Sequence, residues 1–204
     1  MQENSKVELK IDWATHESAK YACKKWHYSK SLPGGKLVKI GAWEDGLYVG
    51  CVVFGRGANN NIGKEFGLNQ TECIELVRIA LTKHITPVSQ ICMNAIKMLS
   101  NSNKGLRLLV SYADPEEGHN GGIYQAMNWI YTGMSLPGEK VYYKQKWVHR
   151  RTVDSVFGNH KGFVTKKTCG KHKYLMPLDK KIKKQFLLLA KPYPKKKEFD
   201  KCQD

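Results

Sequence analysis

Apolar and polar residues alternate over 7–11, and that period of two predicts a first strand. From 14 to 28 the spacing becomes helical, with Thr15 placed to cap the start and Glu17 in the first turn. Pro33, Gly34 and Gly35 then break the chain. Two apolar-rich runs, 37–43 and 47–54, flank Glu44-Asp45-Gly46 and predict a hairpin. Residues 55–69 are rich in Gly and Asn and read as a loop, whereas 72–82 carries Ile74, Leu76, Val77, Ile79 and Leu81 and reads as a strong strand. Over 87–100, Val88, Ile91, Cys92, Ala95, Ile96 and Leu99 share one face of a helix whose first turn holds Pro87. The almost unbroken apolar run 106–113 predicts a central strand buried on both faces. Further on, 122–131 reads as a helix, 141–148 as a strand and 180–189 as a short helix or strand.

This order predicts an α/β (α+β) domain built on a mixed central sheet flanked by helices. The unit 72–82, 87–100, 106–113 is expected as a right-handed crossover. The 204 residues suffice for one domain with a substantial core, and a hydrophobic content of 41% excludes wholesale disorder. No apolar run approaches the ~20 residues of a membrane span. Residues 1–10 lack the apolar centre of a secretory signal. The six cysteines include no CxxC, which argues against a zinc ribbon and predicts reduced thiols in a cytoplasmic protein.

Charge sharpens the picture. The formal net charge is +16, and residues 161–204 hold 14 Lys against Asp179, Glu198, Asp200 and Asp204, a net of +10. The expected organisation is a catalytic unit over 1–160 and a basic extension over 161–204 packed on or beside it. Such a field draws in polyanions, nucleic acid first and an anionic membrane surface second. Phe163, Tyr174, Phe186, Tyr193 and Phe199 interleave with the lysines, which suits phosphate contact plus stacking and equally suits a core.

The densest polar cluster, Ser111 to His119, follows the end of the central strand, where open α/β sheets bind ligands. Asp114 and His119 could act as an acid/base pair, or simply start a turn and cap a helix. Trp26-His27-Tyr28-Ser29 closes the first helix, where His27 could merely complement the dipole. Glu75-Leu76-Val77-Arg78 places two charges in a strand expected to be buried, and strict alternation puts Glu75 and Arg78 on opposite faces. Arg78 could pair with a carboxylate or hold a phosphate. Gly55-Arg56-Gly57 lacks the third glycine of a dinucleotide fingerprint, and neither GxxxxGK[ST] nor GxSxG occurs. Cys169 and His172 form at most half a zinc site. His27, Asp114 and His119 are weak candidates for an iron site, ranked below metal-free chemistry.

The element order resembles the GNAT acyltransferase fold, and 126–134 resembles the GNAT helix that ends in Gly and a bulky apolar residue. Three segments together resemble the Mom proteins of Mu-like bacteriophages: Trp26-His27-Tyr28-Ser29, Glu75-Leu76-Val77-Arg78, and Ser111 to Gly133 with its Gly118-His119-Asn120-Gly121-Gly122-Ile123-Tyr124. The resemblance spans roughly residues 20 to 150. It implies a transferase that converts DNA adenine to N6-carbamoylmethyladenine and so shields phage DNA from host restriction. It further implies double-stranded DNA as partner, with tRNA a second, no membrane, and residence in the host cytoplasm on DNA; a homodimer is left open. On that resemblance, Asp114 or His27 is expected as base, Tyr28 or Tyr124 as acid or oxyanion donor, and Ser111 as a positioning group. Arg78, Ile79, Thr86 and Ser89 are expected at the donor, and Ser29, His119, Asn120, Trp129 and Tyr131 at the substrate. The usual GNAT donor loop, Gln/Arg-x-x-Gly-x-Gly/Ala, is replaced here by 83–90, which has no glycine. Acetyl-CoA and a glycyl carrier such as glycyl-tRNA both remain as donors. The competing classes are an acetyltransferase acting on a protein or small amine, and a non-enzymatic DNA-binding protein.

Overall fold

The computed structural model describes residues 7–56 and 61–195; Gly57, Phe199 and Cys202 lie outside them. Strand β1 (Leu9–Trp13) leads into helix α1 (His16–Trp26), whose first turn is closed by the Thr15 side chain accepting from the Ser18 amide. Strands β2 (Leu37–Glu44) and β3 (Leu47–Gly55) form the expected hairpin. Asp45 and Gly46 both adopt positive φ, +48° and +80°, the left-handed pair that suits a two-residue turn. Strand β4 (Cys73–Leu81), helix α2 (Val88–Ser102) and strand β5 (Leu108–Ala113) then make a parallel crossover unit.

Three expectations for the C-terminal half are corrected. The helix expected over 122–131 stops after one turn, α3 (Gly122–Ala126), and Ile130–Met134 is strand β6. Asn128 turns left-handed (φ +57°), which ends the helix, and the chain that follows pairs with a strand from far ahead. The strand expected over 141–148 is a hairpin of β7 (Glu139–Tyr143) and β8 (Lys146–His149), turned by Lys144 and Gln145, again both at positive φ. After helix α4 (Arg150–Phe157) and strand β9 (Thr165–Lys167) comes β10 (His172–Pro177), where no strand was expected. The short element over 180–189 is helix α5 (Lys180–Leu187), capped by Asp179.

The main sheet runs β1-β2-β3-β4-β5-β10-β6. The basic segment beyond residue 160 therefore supplies an interior strand of the same sheet, and residue 160 is not a boundary within it. Along β3 the core divides by alternation. Cys51 and Val53 meet Ala19, Ala22 and Cys23 of α1 on one face, while Val52 and Phe54 meet Ile91, Cys92, Ala95 and Ile96 of α2 on the other. Strand β5 is buried on both faces, with Leu109 toward α2 and Leu108 and Val110 toward Ile182 and Phe186 of α5. A second sheet, β8-β7-β9, stands apart from the first. No helix among the described residues is long and apolar enough to cross a membrane.

Candidate active site

Parallel strands β4 and β5 share only three register pairs, Cys73 with Leu108, Ile74 with Leu109 and Glu75 with Val110, and then part. The Leu76 carbonyl at the fork is caught by the Ser111 hydroxyl at 2.8 Å. Ser111 is fully buried and its Oγ lies 2.7 Å from the Tyr124 hydroxyl. A hydroxyl has one proton, so with that of Ser111 on the carbonyl, Tyr124 supplies the proton between them. Burial also drives the Tyr124 hydroxyl far above its ordinary range. Tyr124 therefore braces the fork, and it also lines the space beyond. Beyond the fork opens a cleft of about 1280 Å³.

A bulge decides which side chains enter it. Val53 faces Arg78 in register and Phe54 faces Leu76, leaving Val77 as an extra residue in β4. Alternation is reset there, and Glu75 and Arg78, expected on opposite faces, both line the cleft. Burial pushes the Glu75 carboxyl up to about 7 even though Arg78, Lys171 and Arg151 pull it down. A carboxylate half-protonated at neutral pH in an open cleft can accept a proton and release it again.

His27 ends α1 and lines the same cleft. Its Nδ1 accepts from the Ser29 amide at 3.1 Å, which puts the ring proton on Nε2. Burial, with Arg78, His119 and Lys30 adding to it, lowers its pKa to about 4, so the ring is neutral at pH 7. Tyr28, half exposed, lies between His27 and His119, with ring centroids 4.2 and 5.2 Å away. Asp114 also lines the cleft. One of its oxygens accepts from the Glu116 amide to start the turn Pro115–Glu117, and the other meets Lys171 Nζ at 2.8 Å. Asp114 thus starts the turn and at the same time places an ion pair with Lys171 at the cleft. Among the described residues no group of three His, Cys, Asp or Glu is placed to hold one metal ion, so lining the same cleft does not bring His27, Asp114 and His119 together as ligands.

Arg78, Ile79, His119 and Asn120 line the cleft, while the Ser29 hydroxyl lies 2.8 Å from His27 Nδ1. Trp129 does not belong to the lining: it is fully buried in the main core. Tyr131 is buried in β6 with its hydroxyl 2.9 Å from His172 Nδ1. Thr86 and Ser89 also lie away from the cleft lining. In the loop before α2, where a GNAT enzyme would hold the pyrophosphate of its acyl carrier on backbone amides, two amides already have an anionic partner. The Glu44 carboxylate accepts from the Ile85 amide at 2.8 Å and the Thr86 amide at 2.6 Å. Burial opposes the Glu44 charge, but these bonds outweigh it and hold the carboxyl below its usual range. The Glu44 carboxylate takes two amides of this turn and sets a like charge beside any pyrophosphate, which disfavours coenzyme A in that mode. Titration calorimetry with coenzyme A is expected to give no binding heat, and micromolar affinity would contradict this reading.

Glu75, Lys171 and Arg151 are among the cleft residues absent from the expected site. A charge in mid-strand marks Glu75 in the sequence, but nothing local marks the two cations, which arrive from chain segments about 75–95 residues away.

A family model described as the Mom protein family matches residues 8–195. The methylcarbamoylase mom of Escherichia phage Mu is 24% identical over 206 residues, covering 92% of this chain and 84% of that protein. Among solved structures, FeeM, an N-acyl amino acid synthase from uncultured soil microbes, superposes with a TM-score of 0.50 at 8% identity, covering 86% of this chain and 93% of that one. A polyamine N-acetyltransferase of Drosophila melanogaster gives 0.50 at 7% identity, covering 84% and 100%. These likenesses bear on fold alone, and the fold is the GNAT-like one expected.

Proposed function

The chain belongs to the Mom protein family, and from that premise we propose that it is a transferase that modifies adenine N6 in DNA, installing a carbamoylmethyl group that protects phage DNA from restriction. The observation that carries this reading is Glu75, a carboxylate near neutral pKa beside Arg78 at the floor of the forked cleft. Adenine N6 is a weak nucleophile inside a duplex, so the base must leave the stack, at a few kcal/mol. The Tyr28 ring with His119 beside it suits a flat purine at the cleft wall. As N6 bonds to the activated carbon of the donor, the bond to the leaving group breaks and the N6 proton passes to Glu75. Arg78 and Lys171 oppose the negative charge that develops on the donor oxygen.

The donor consistent with Glu44 on the turn before α2 is a carrier other than coenzyme A, and a glycyl ester brings both carbons and the nitrogen. A glycyl amide on N6 and a carbamoylmethyl group are isomers, so direct acyl transfer requires a later rearrangement. Chromatography beside synthetic standards separates the two, where mass alone does not. The test is nucleoside analysis of DNA from cells expressing the protein. A modified deoxyadenosine is expected, and unmodified DNA from folded, abundant protein would turn the reading toward a protein or small-amine acceptor.

Asp114 holds Lys171, so Asp114→Asn, which keeps an oxygen for the turn but removes the charge, should lower modification about tenfold or more. It also strengthens the field of Lys171 on Glu75, and the acid limb of the pH profile is expected to move to lower pH. An unmoved profile would reduce Asp114 to a turn former.

A further inference from the structure

We propose that the small sheet β8-β7-β9 is the DNA-docking face, with Trp147 and Tyr142 as a stacking platform and the surrounding lysines as phosphate contacts; this rests on the reading of DNA as substrate. Between β6 and β10 the chain leaves the main sheet and returns. Residues 139–171 of that excursion carry nine Lys and Arg against two acids, Glu139 and Asp154. Both acids are turned to one partner, His160, at 3.2 and 2.6 Å. The remaining positive charge is thus left without internal neutralisation by acids of its own segment.

Register sorts the sheet into two faces. Val141 is fully buried, as is Val153 of α4, and Tyr143 meets Phe157 and Phe163 edge-on at 5.7 and 6.1 Å. The opposite face takes the alternate residues: Tyr142 pairs across the strands with Trp147, and Lys140 stands between His149 and Lys166. Tyr142 and Trp147 are 46% and 39% exposed and touch edge to face at 5.4 Å, although neither is needed to fill the core under α4. Lys166 Nζ lies 5.0 Å from the Trp147 ring centre. Two large exposed aromatics set among cations are what bases and phosphates require together.

The face is also joined to the cleft. His149, on the same face, lines it together with Arg151 at the start of α4. Lys140 is bonded to Glu116 at 2.7 Å, two residues beyond Asp114. DNA held on Trp147 and the lysines therefore presents a neighbouring nucleotide to the cleft mouth. Extruding a base exposes the faces of those beside it, and an aromatic platform is placed to cover one.

The test is fluorescence anisotropy with labelled DNA oligonucleotides, duplex and with one unpaired adenine, across a salt series. Wild-type protein is expected to bind both. Trp147→Ala should weaken the unpaired-adenine duplex about tenfold or more. Lys140→Gln with Lys166→Gln, the two lysines on the Trp147 face, should weaken all DNA and flatten the salt dependence by roughly 0.9 for each phosphate that is no longer neutralised. Unchanged melting temperatures will show that the fold is kept. If wild type binds DNA and these variants bind it equally, the docking face is wrong while the substrate reading stands. If wild type binds no DNA, or binds tRNA through this face and DNA not at all, the substrate reading itself fails with it.

Discussion

Glu75→Gln is expected to abolish modification, with a loss of about 10²–10⁴ in kcat, and to make the protein more stable above neutral pH. The two effects have one cause. The Glu75 carboxyl is raised from its ordinary 4.5 to about 7, burial being the larger influence and the neighbouring cations the smaller. The folded state thus holds this proton more firmly than the unfolded chain does. Its contribution to stability is complete below pH 4.5 and is lost as pH rises toward 7. At 1.36 kcal/mol per pKa unit that loss is about 3 kcal/mol at most. Glutamine never ionises and escapes it, so melting curves of the variant and wild type should agree below about pH 4.5, separate between there and pH 7, and stay apart above, with the variant several degrees higher. Wild-type activity should climb with pH and level off above about 7 as the base deprotonates. A variant that keeps its activity would place the base elsewhere. One that loses stability at pH 8 would mean that the carboxylate is held by a partner rather than strained.

Trp129→Ala is expected to be the most damaging change to the fold, costing about 3–5 kcal/mol and leaving little folded protein. Trp129 is the largest fully buried side chain, with the Tyr124 ring centre 5.1 Å away, and Tyr124 in turn braces Ser111 at the fork. Trp129→Phe, which refills most of the space, should fold and keep the cleft. A substrate-stacking residue would behave in the opposite sense: Ala would fold normally and lose only affinity. Thermal melting followed by near-ultraviolet circular dichroism distinguishes the two.

The contrast between Trp129 and Glu75 shows where sequence reasoning succeeds and stops. Period-two and period-3.6 patterns found β1 through β5 with α1 and α2, because in those elements one buried face imposes the pattern locally. Thr15 and the Asp45-Gly46 turn were legible for the same reason: a cap or a left-handed turn is satisfied within a few residues. The resemblance carried by 26–29, 75–78 and 111–133 placed Asp114, His27, Tyr28, Ser111, Arg78, His119 and Asn120 near one another, and all but Ser111 line the cleft itself. It could not say that Trp129 and Tyr131 turn inward, since an aromatic in a loop and one in a core look alike in a string of letters.

The sequence by itself determined the fold class, the basic surface and the polar loop after the central strand, all of which follow from local pattern and composition. Tertiary structure alone decided three things. One extra residue in β4, visible only against β3, brought Glu75 and Arg78 to the same side. The carboxylate of Glu44, some 40 residues upstream, took two amides of the turn before α2. Strand β10, from a lysine-rich stretch with only weak alternation, entered the sheet between β5 and β6 and carried Lys171 to Asp114. Each depends on pairing between segments far apart in the chain, where energy comes from partners that no local window contains.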